Sequence, residues 1–261
     1  MARAATARAD EGLRIRHVEH VMGTAFSFDV RWPEAADRAA AADSVAAAVG
    51  WLHWVDATFS TYRHDSAISR LSRGETGLDA EFGQPAEVAE VLTACAQIEQ
   101  TSRGAFSATA QGALDPSGYV KGWAIERAAA HLRLAGAEAA AVNGGGDIRA
   151  FGPTPWRIGI TDPRDRGRLL AAVEVADGAV ATSGLAERGL HVVDPRTGRP
   201  AEGLLSVTLL GPDLALADAY ATAALVLGEE APEWVCGLAG HEALGLRLDG
   251  SAWTTPGWPR A

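Results

Sequence analysis

The segment Leu214–Gly228, LALADAYATAALVLG, is an apolar helix with a single carboxylate, Asp218, near its start. Burying a charge on such a helix is costly unless it is paired or bound to a metal. Asp218 therefore either stays at the surface, where the helix macrodipole favours it, or meets a partner inside. Thr222 lies four residues on and shares its helix face. A carboxylate beside a hydroxyl suits a hard, oxygen-loving cation, and Mg²⁺ typically takes one carboxylate plus substrate phosphates. Spacing alone leaves both readings open.

The remaining patterns fix the fold class. Ala-rich residues 34–59 place Val45, Val49, Leu52, Val55 and Phe59 at helical spacing. Ser66 is set to cap a short helix around Ala67–Leu71. Pro85 opens another, with Val88, Val91, Leu92, Cys95 and Ile98 on one face. YVKGWAIERAAAHLRLAG fits a helix stopped by Gly136. VMGTAFSFDVRW reads as a strand, and EAAAVNGGGDIRAFG as a strand running into a glycine loop. Alternation at Trp156, Ile158 and Ile160, and at Val173 and Val175, predicts an antiparallel meander. Strand LLSVTLL, the helix over 214–227 closed by Gly228, and a last helix and strand complete the chain. Helices and strands mix irregularly, which predicts an α+β fold with mainly antiparallel sheets and packed helices. With no repeat or linker, one domain is expected over residues 15–255 after a disordered tail, 1–14.

Of the 261 residues, 48% are apolar and 21% charged, the balance of a soluble globular enzyme. A formal net charge of −10 argues against non-specific binding to nucleic acid or to anionic membranes. An anionic ligand would then need a metal ion or backbone N–H groups. No apolar run has signal-peptide or membrane-spanning length, so the expected location is cytoplasmic. The two cysteines show no metal spacing, and Cys95 is expected to pack as a small hydrophobe.

Other segments could carry chemistry. In Asn143–Asp147, three glycines after an apolar strand let backbone N–H groups approach a ligand, or simply form a tight turn. The spacing matches neither a dinucleotide fingerprint nor a P-loop. LHVVDPRTG is either an ordinary turn or a site in which His191 accepts a proton or contacts phosphate and Asp194 orients it. The polar stretch Asp115–Trp123 precedes a helix, whose N-terminal N–H groups can hold anions. Lys121 within it is a ligand contact or a solvated charge. Val180–Gly184 is a turn or a ligand-lining segment, and Tyr62 stacks on a planar ring or packs.

Eight pieces in order carry a resemblance: Met22–Thr24, Phe59–Leu71, Ser117–Ala128, Val142–Gly152, Ala181–Gly184, His191–Pro200, Ser206–Pro212 and Ala217–Gly228. Over residues 20 to 250 the chain resembles the ApbE family of FAD:protein FMN transferases. The resemblance implies Mg²⁺-dependent transfer of FMN from FAD to a Thr or Ser hydroxyl of an acceptor flavoprotein, releasing AMP. It implies that Met22, Tyr62, Phe106 and Ser107 line the FAD site, and that Glu126 replaces an Asp that contacts FAD. Asp218 and Thr222 match the Mg²⁺ ligands, a carbonyl at Gly118 completes them, and His191 matches the catalytic histidine with Asp194 beside it. Lys121, Gly145, Thr182 and Ser183 are the remaining cofactor-binding candidates. Between Phe106 and Asp115 the chain is shorter than many members, and SGYVKG replaces a more apolar GGIAKG-like stretch. An FAD pyrophosphatase giving FMN and AMP, or a non-catalytic FAD-binding protein, are the alternatives.

Overall fold

The structure, a computed structural model, describes residues 12–78, 85–110, 112–185 and 192–259. Alternation at the start of the chain produces two strands where the sequence suggested one. Leu13–Val21 (β1) and Thr24–Trp32 (β2) pair antiparallel around the turn Met22-Gly23. Both turn residues have positive φ, 52° and 70°, the sense of twist a two-residue hairpin needs. A methionine in that conformation is uncommon. Leu13 and Arg14 are already paired with Trp32 and Arg31, so the tail expected over 1–14 is corrected at its end. The rest of that expectation, residues 1–11, lies outside the described residues.

The helices follow their sequence signals. Asp37 caps α1 (Arg38–Phe59), accepting from the Ala39 and Ala40 N–H groups. Ser66 caps α2 (Ala67–Ser72) through the Ser69 N–H at 3.0 Å. α3 (Ala86–Thr101) starts after Pro85, and α4 (Ser117–Leu134) stops before Gly136, whose φ is 90°. Cys95 lies buried in the core, and that burial pushes its thiol up to about 12, as expected of a packed, unreactive side chain.

The glycine run forms a hairpin. β3 (Ala139–Gly144) turns through Gly145-Gly146 into the long β4 (Asp147–Asp162), which pairs with β5 (Asp165–Gly184). Pairs Trp156↔Val175 and Ile158↔Val173 match the meander expected from their alternation. A small hairpin of β6 (Val193–Asp194) and β7 (Arg199–Pro200) precedes β8 (Leu204–Gly211) and α5 (Leu214–Leu227). α6 (Ala231–Cys236), β9 (Glu242–Arg247) and β10 (Ala252–Thr254) follow.

One eight-stranded antiparallel sheet results, in the order β1-β2-β3-β4-β5-β8-β9-β10. Its inner face buries Phe26, Phe28, Val142, Ala181 and Leu209 under α1, α4 and α5. The outer face buries Ala150, Val180 and Leu244 against the far half of the β4–β5 hairpin and Trp258. The domain is α+β, as the sequence predicts. Among the described residues no helix is long and apolar enough to cross a membrane.

Gly122 sets how closely α4 and α5 approach. A Cβ there would meet the Leu214 carbonyl oxygen at 2.5 Å and Asp218 Cβ at 2.9 Å. Both obstacles belong to a packed helix and cannot swing away. Gly122→Ala is therefore expected to destabilise the fold by about 1–3 kcal/mol, as overpacking does, measured by urea unfolding.

Candidate active site

Strand alternation places charges where the core would otherwise be apolar. Asp147, Arg149 and Phe151 lie at alternate positions of β4 and point toward the helices. Asp147 is 2% exposed. Its Oδ1 accepts the Thr182 N–H from β5 at 2.9 Å, and its Oδ2 contacts Lys121 Nζ from α4. The same ammonium reaches Asp218 Oδ2 on α5 at 2.8 Å. Asp218 is 6% exposed, and its Oδ2 also accepts the Gly122 N–H at 3.1 Å. The buried reading of Asp218 is thus the one realised, and its protein partner is a lysine. Lys121 is no solvated surface charge.

One turn further along α5, Thr222 Oγ1 lies 3.1 Å from Ser183 Oγ. The neighbouring Thr182 behaves differently. Its hydroxyl bonds Thr208 Oγ1 at 2.8 Å on the outer face of the sheet, and only its backbone N–H serves the cluster. The assembly therefore unites Lys121, Asp147, Ser183, Asp218 and Thr222 from α4, β4, β5 and α5. Met22 and Gly145 sit in two hairpin turns at the same end of the sheet, since β2 and β3 pair Phe26 with Gly144. Gly145, with φ 62°, abuts the Thr24 side chain, and Asn143 Oδ1 secures the turn by accepting the Gly146 N–H at 3.0 Å.

The donor set is entirely oxygen. Asp218 Oδ1 accepts no hydrogen bond among the described residues, and Thr222 Oγ1 lies on the same helix face. Among the described residues no group of three or more His, Cys, Asp or Glu is placed to hold a metal ion. One carboxylate with hydroxyls fits an ion such as Mg²⁺, which takes few protein ligands and completes its shell with water and phosphate.

Five sequence candidates stand elsewhere or serve the fold. Tyr62 is fully exposed in the loop between α1 and α2. Phe106 is buried with its ring against Gly118, where a Cβ would lie 3.0 Å from its Cε2, and Ser107 bonds Thr109. Glu126 has both oxygens engaged within the protein: Oε1 takes Arg149 Nε at 2.8 Å and Oε2 takes the Leu214 N–H at 2.8 Å, capping α5. Asp194 is held by Arg196, which donates its backbone N–H and Nε to Oδ1 and Nη2 to Oδ2, each at 2.9 Å. That guanidinium holds the Asp194 carboxyl below the usual range. Its observed role is to shape its own turn; its expected partner, His191, lies outside the described residues.

Sequence reasoning passed over Asp147 as a site residue. The available signal was its phase: it shares the inward face of β4 with Phe151, where a charge demands a partner.

The fold is shared with solved structures. The ApbE protein of Thermotoga maritima superposes with a TM-score of 0.80 at 23% identity, covering 94% of this chain and 97% of that one. A structure described as flavin transferase ApbE from Vibrio cholerae gives 0.78 at 24% identity over 94% and 97%. An α+β domain of this topology, with an acidic and hydroxylic cluster under two helices, defines the structural class. The ApbE family profile matches residues 22–114 and 108–244. The chain belongs to the ApbE family. Relatives named FAD:protein FMN transferase include one from Rhodobacter capsulatus, 41% identical over 157 residues, 55% of this chain and 30% of that protein. Another, from Vibrio cholerae, is 37% identical over 131 residues, 45% of this chain and 39% of that protein. The chain thus spans well under half the length of these two curated relatives.

Arg149 ties the supports of the site together, joining Glu126 to Asp177 Oδ1 at 2.7 Å and to the Gly178 carbonyl at 3.0 Å. Arg149→Met would orphan Glu126, which accepts the first N–H of α5. The expected loss is about 3 kcal/mol, the low end for breaking a buried pair because Asp177 is half exposed, measured by chemical denaturation.

Proposed function

We propose that this chain is a Mg²⁺-dependent transferase that moves FMN from FAD onto a Thr or Ser hydroxyl of an acceptor flavoprotein, releasing AMP. The observation that carries the reading is the buried Asp218 with Thr222 one helical turn on, beside Lys121 and Ser183, in a member of the ApbE family. The names of the relatives support the choice of FAD as substrate and of a protein as acceptor.

Asp218, Thr222 and a carbonyl at Gly118 would hold Mg²⁺. When bound, the ion neutralises phosphate charge and polarises the P–O bonds. The chain's own residues do the rest. Lys121 adds a positive charge in a protein whose net charge of −10 otherwise repels a diphosphate. The N–H groups around Gly145 and the Ser183 hydroxyl offer hydrogen bonds to phosphate oxygens, while Met22, in the hairpin turn at the same end of the sheet, offers an apolar surface to the rings. Thr182 holds Asp147 in place, and Glu126 fixes the start of α5. The acceptor hydroxyl forms a bond to the phosphorus nearer the flavin as the bond from that phosphorus to the bridging oxygen breaks. AMP leaves with that oxygen, and His191 takes the hydroxyl proton. Catalysis in such transfers is chiefly positioning and charge stabilisation.

Incubation with FAD, Mg²⁺ and an acceptor flavoprotein, read as in-gel fluorescence of the denatured acceptor, tests the activity. Asp218→Ala is expected to lower transfer at least ~100-fold, the scale of losing a principal electrostatic contact. Retention of full transfer would remove Asp218 as ligand. FMN and AMP appearing without a labelled acceptor would point to hydrolysis instead. His191→Ala should still bind FAD while transferring about 10²–10⁴-fold more slowly, as loss of a general base does. Unchanged turnover would exclude His191 as the base.

A further inference from the structure

Lys121 stands between two carboxylates that have little access to water. Asp147 on β4 and Asp218 on α5 are 2% and 6% exposed, and the Lys121 side chain is itself only 13% exposed. Neither carboxylate has another cationic partner among the described residues. Asp147 receives the Thr182 N–H, and Asp218 receives the Gly122 N–H. Without the ammonium, two buried negative charges would face one another. With it, the cluster still carries one net negative charge.

We propose that Lys121 is a built-in counter-ion that holds Asp147 and Asp218 together when no divalent cation is present, and that it competes with that cation for Asp218. The inference rests on the assignment of Asp218 as a metal ligand made above, and it adds Lys121 and Asp147 as positioning residues for the ion. Three features favour an exchangeable counter-ion over a fixed strut. An ammonium is a compact charge on a flexible stem, with three donors that re-aim without a set geometry. It contacts Asp147 as well as Asp218, so it has a partner to keep when Asp218 is given up. Its contact with Asp218 and that of Gly122 both fall on Oδ2, so Oδ1 is the oxygen left for an incoming ion.

The consequence has an unusual sign. A lysine that merely supports the fold, or that only binds phosphate, would not weaken metal binding. A competing counter-ion does, so its removal tightens binding. Damage to the fold cannot produce that result.

The test uses FAD-free protein with Mn²⁺ as the probe, the free ion being counted by electron paramagnetic resonance. Lys121→Met is expected to bind Mn²⁺ about tenfold or more tightly than wild type, the scale of removing one nearby like charge. Its melting temperature should fall without metal and recover on adding Mn²⁺, with a larger metal-induced rise than wild type shows. Asp147→Asn is expected to shift affinity the other way, several-fold weaker, because Lys121 then commits to Asp218. Unchanged or weaker Mn²⁺ binding in Lys121→Met overturns the proposal. If that variant does not fold, unchanged binding in Asp147→Asn overturns it. Asp218→Ala separates the two levels of argument. Should it bind Mn²⁺ as wild type does, the metal assignment itself fails; should it lose the ion while Lys121→Met leaves affinity unaltered, only the counter-ion falls.

Discussion

A single ammonium between two buried carboxylates joins three elements that are far apart in sequence. Lys121 comes from α4, Asp147 from β4 and Asp218 from α5. Each carboxylate alone would oppose folding, since a desolvated charge without a partner costs more than the apolar contacts of one residue return. Together they require α4 and α5 to meet above this end of the sheet and no other. Gly122 permits the approach sterically, and its N–H bonds the same Asp218 oxygen that Lys121 takes. Steric and electrostatic requirements thus coincide within two consecutive residues.

A second ionic brace lies behind the first. Arg149, two residues beyond Asp147 on the same face of β4, joins Glu126 of α4 to Asp177 of β5 and to two backbone carbonyls. Through Glu126 it also fixes the first N–H of α5. Arginine suits this place because its planar fork serves several acceptors at once, whereas lysine suits the neighbouring one because it can re-aim. Rigidity is thereby concentrated in the frame of the site. The carboxylate cluster in front of it is built from single-point contacts.

Much of this was legible in the sequence. Helix α5, its Gly228 stop, the Ser66 cap and the Asp218–Thr222 pairing all follow from local rules that depend on spacing alone. The family resemblance was legible too, because it rests on many short pieces in order. What was not legible depends on tertiary register. The start of β1 reads as tail because its alternating polar residues, Arg14, Arg16 and His20, are those of an edge strand with one exposed face. In the sequence Asp147 is indistinguishable from the glycine loop, since only the pairing of β3 with β4 shows that the turn consumes Gly145 and Gly146 and leaves the aspartate inside. Glu126 looked like a ligand contact, and its engagement with Leu214 and Arg149 appears only when α4 and α5 are packed.

Register also decides which hydroxyl serves the site. Along β5, Thr182 and Ser183 are chemically alike, yet alternation sends them to opposite faces of the sheet. Thr182 meets Thr208 of β8 at 2.8 Å in the outer core, where an unpaired hydroxyl would be penalised. A slip of one residue between β5 and β8 would break that pair, bury Ser183 outside and turn a bulkier threonine toward Thr222. The Thr182–Thr208 bond therefore acts on the site from the far side of the sheet. It holds in place the backbone N–H that orients Asp147 and the serine that faces α5, and so the alignment of the carboxylate cluster depends on a contact that no ligand would touch.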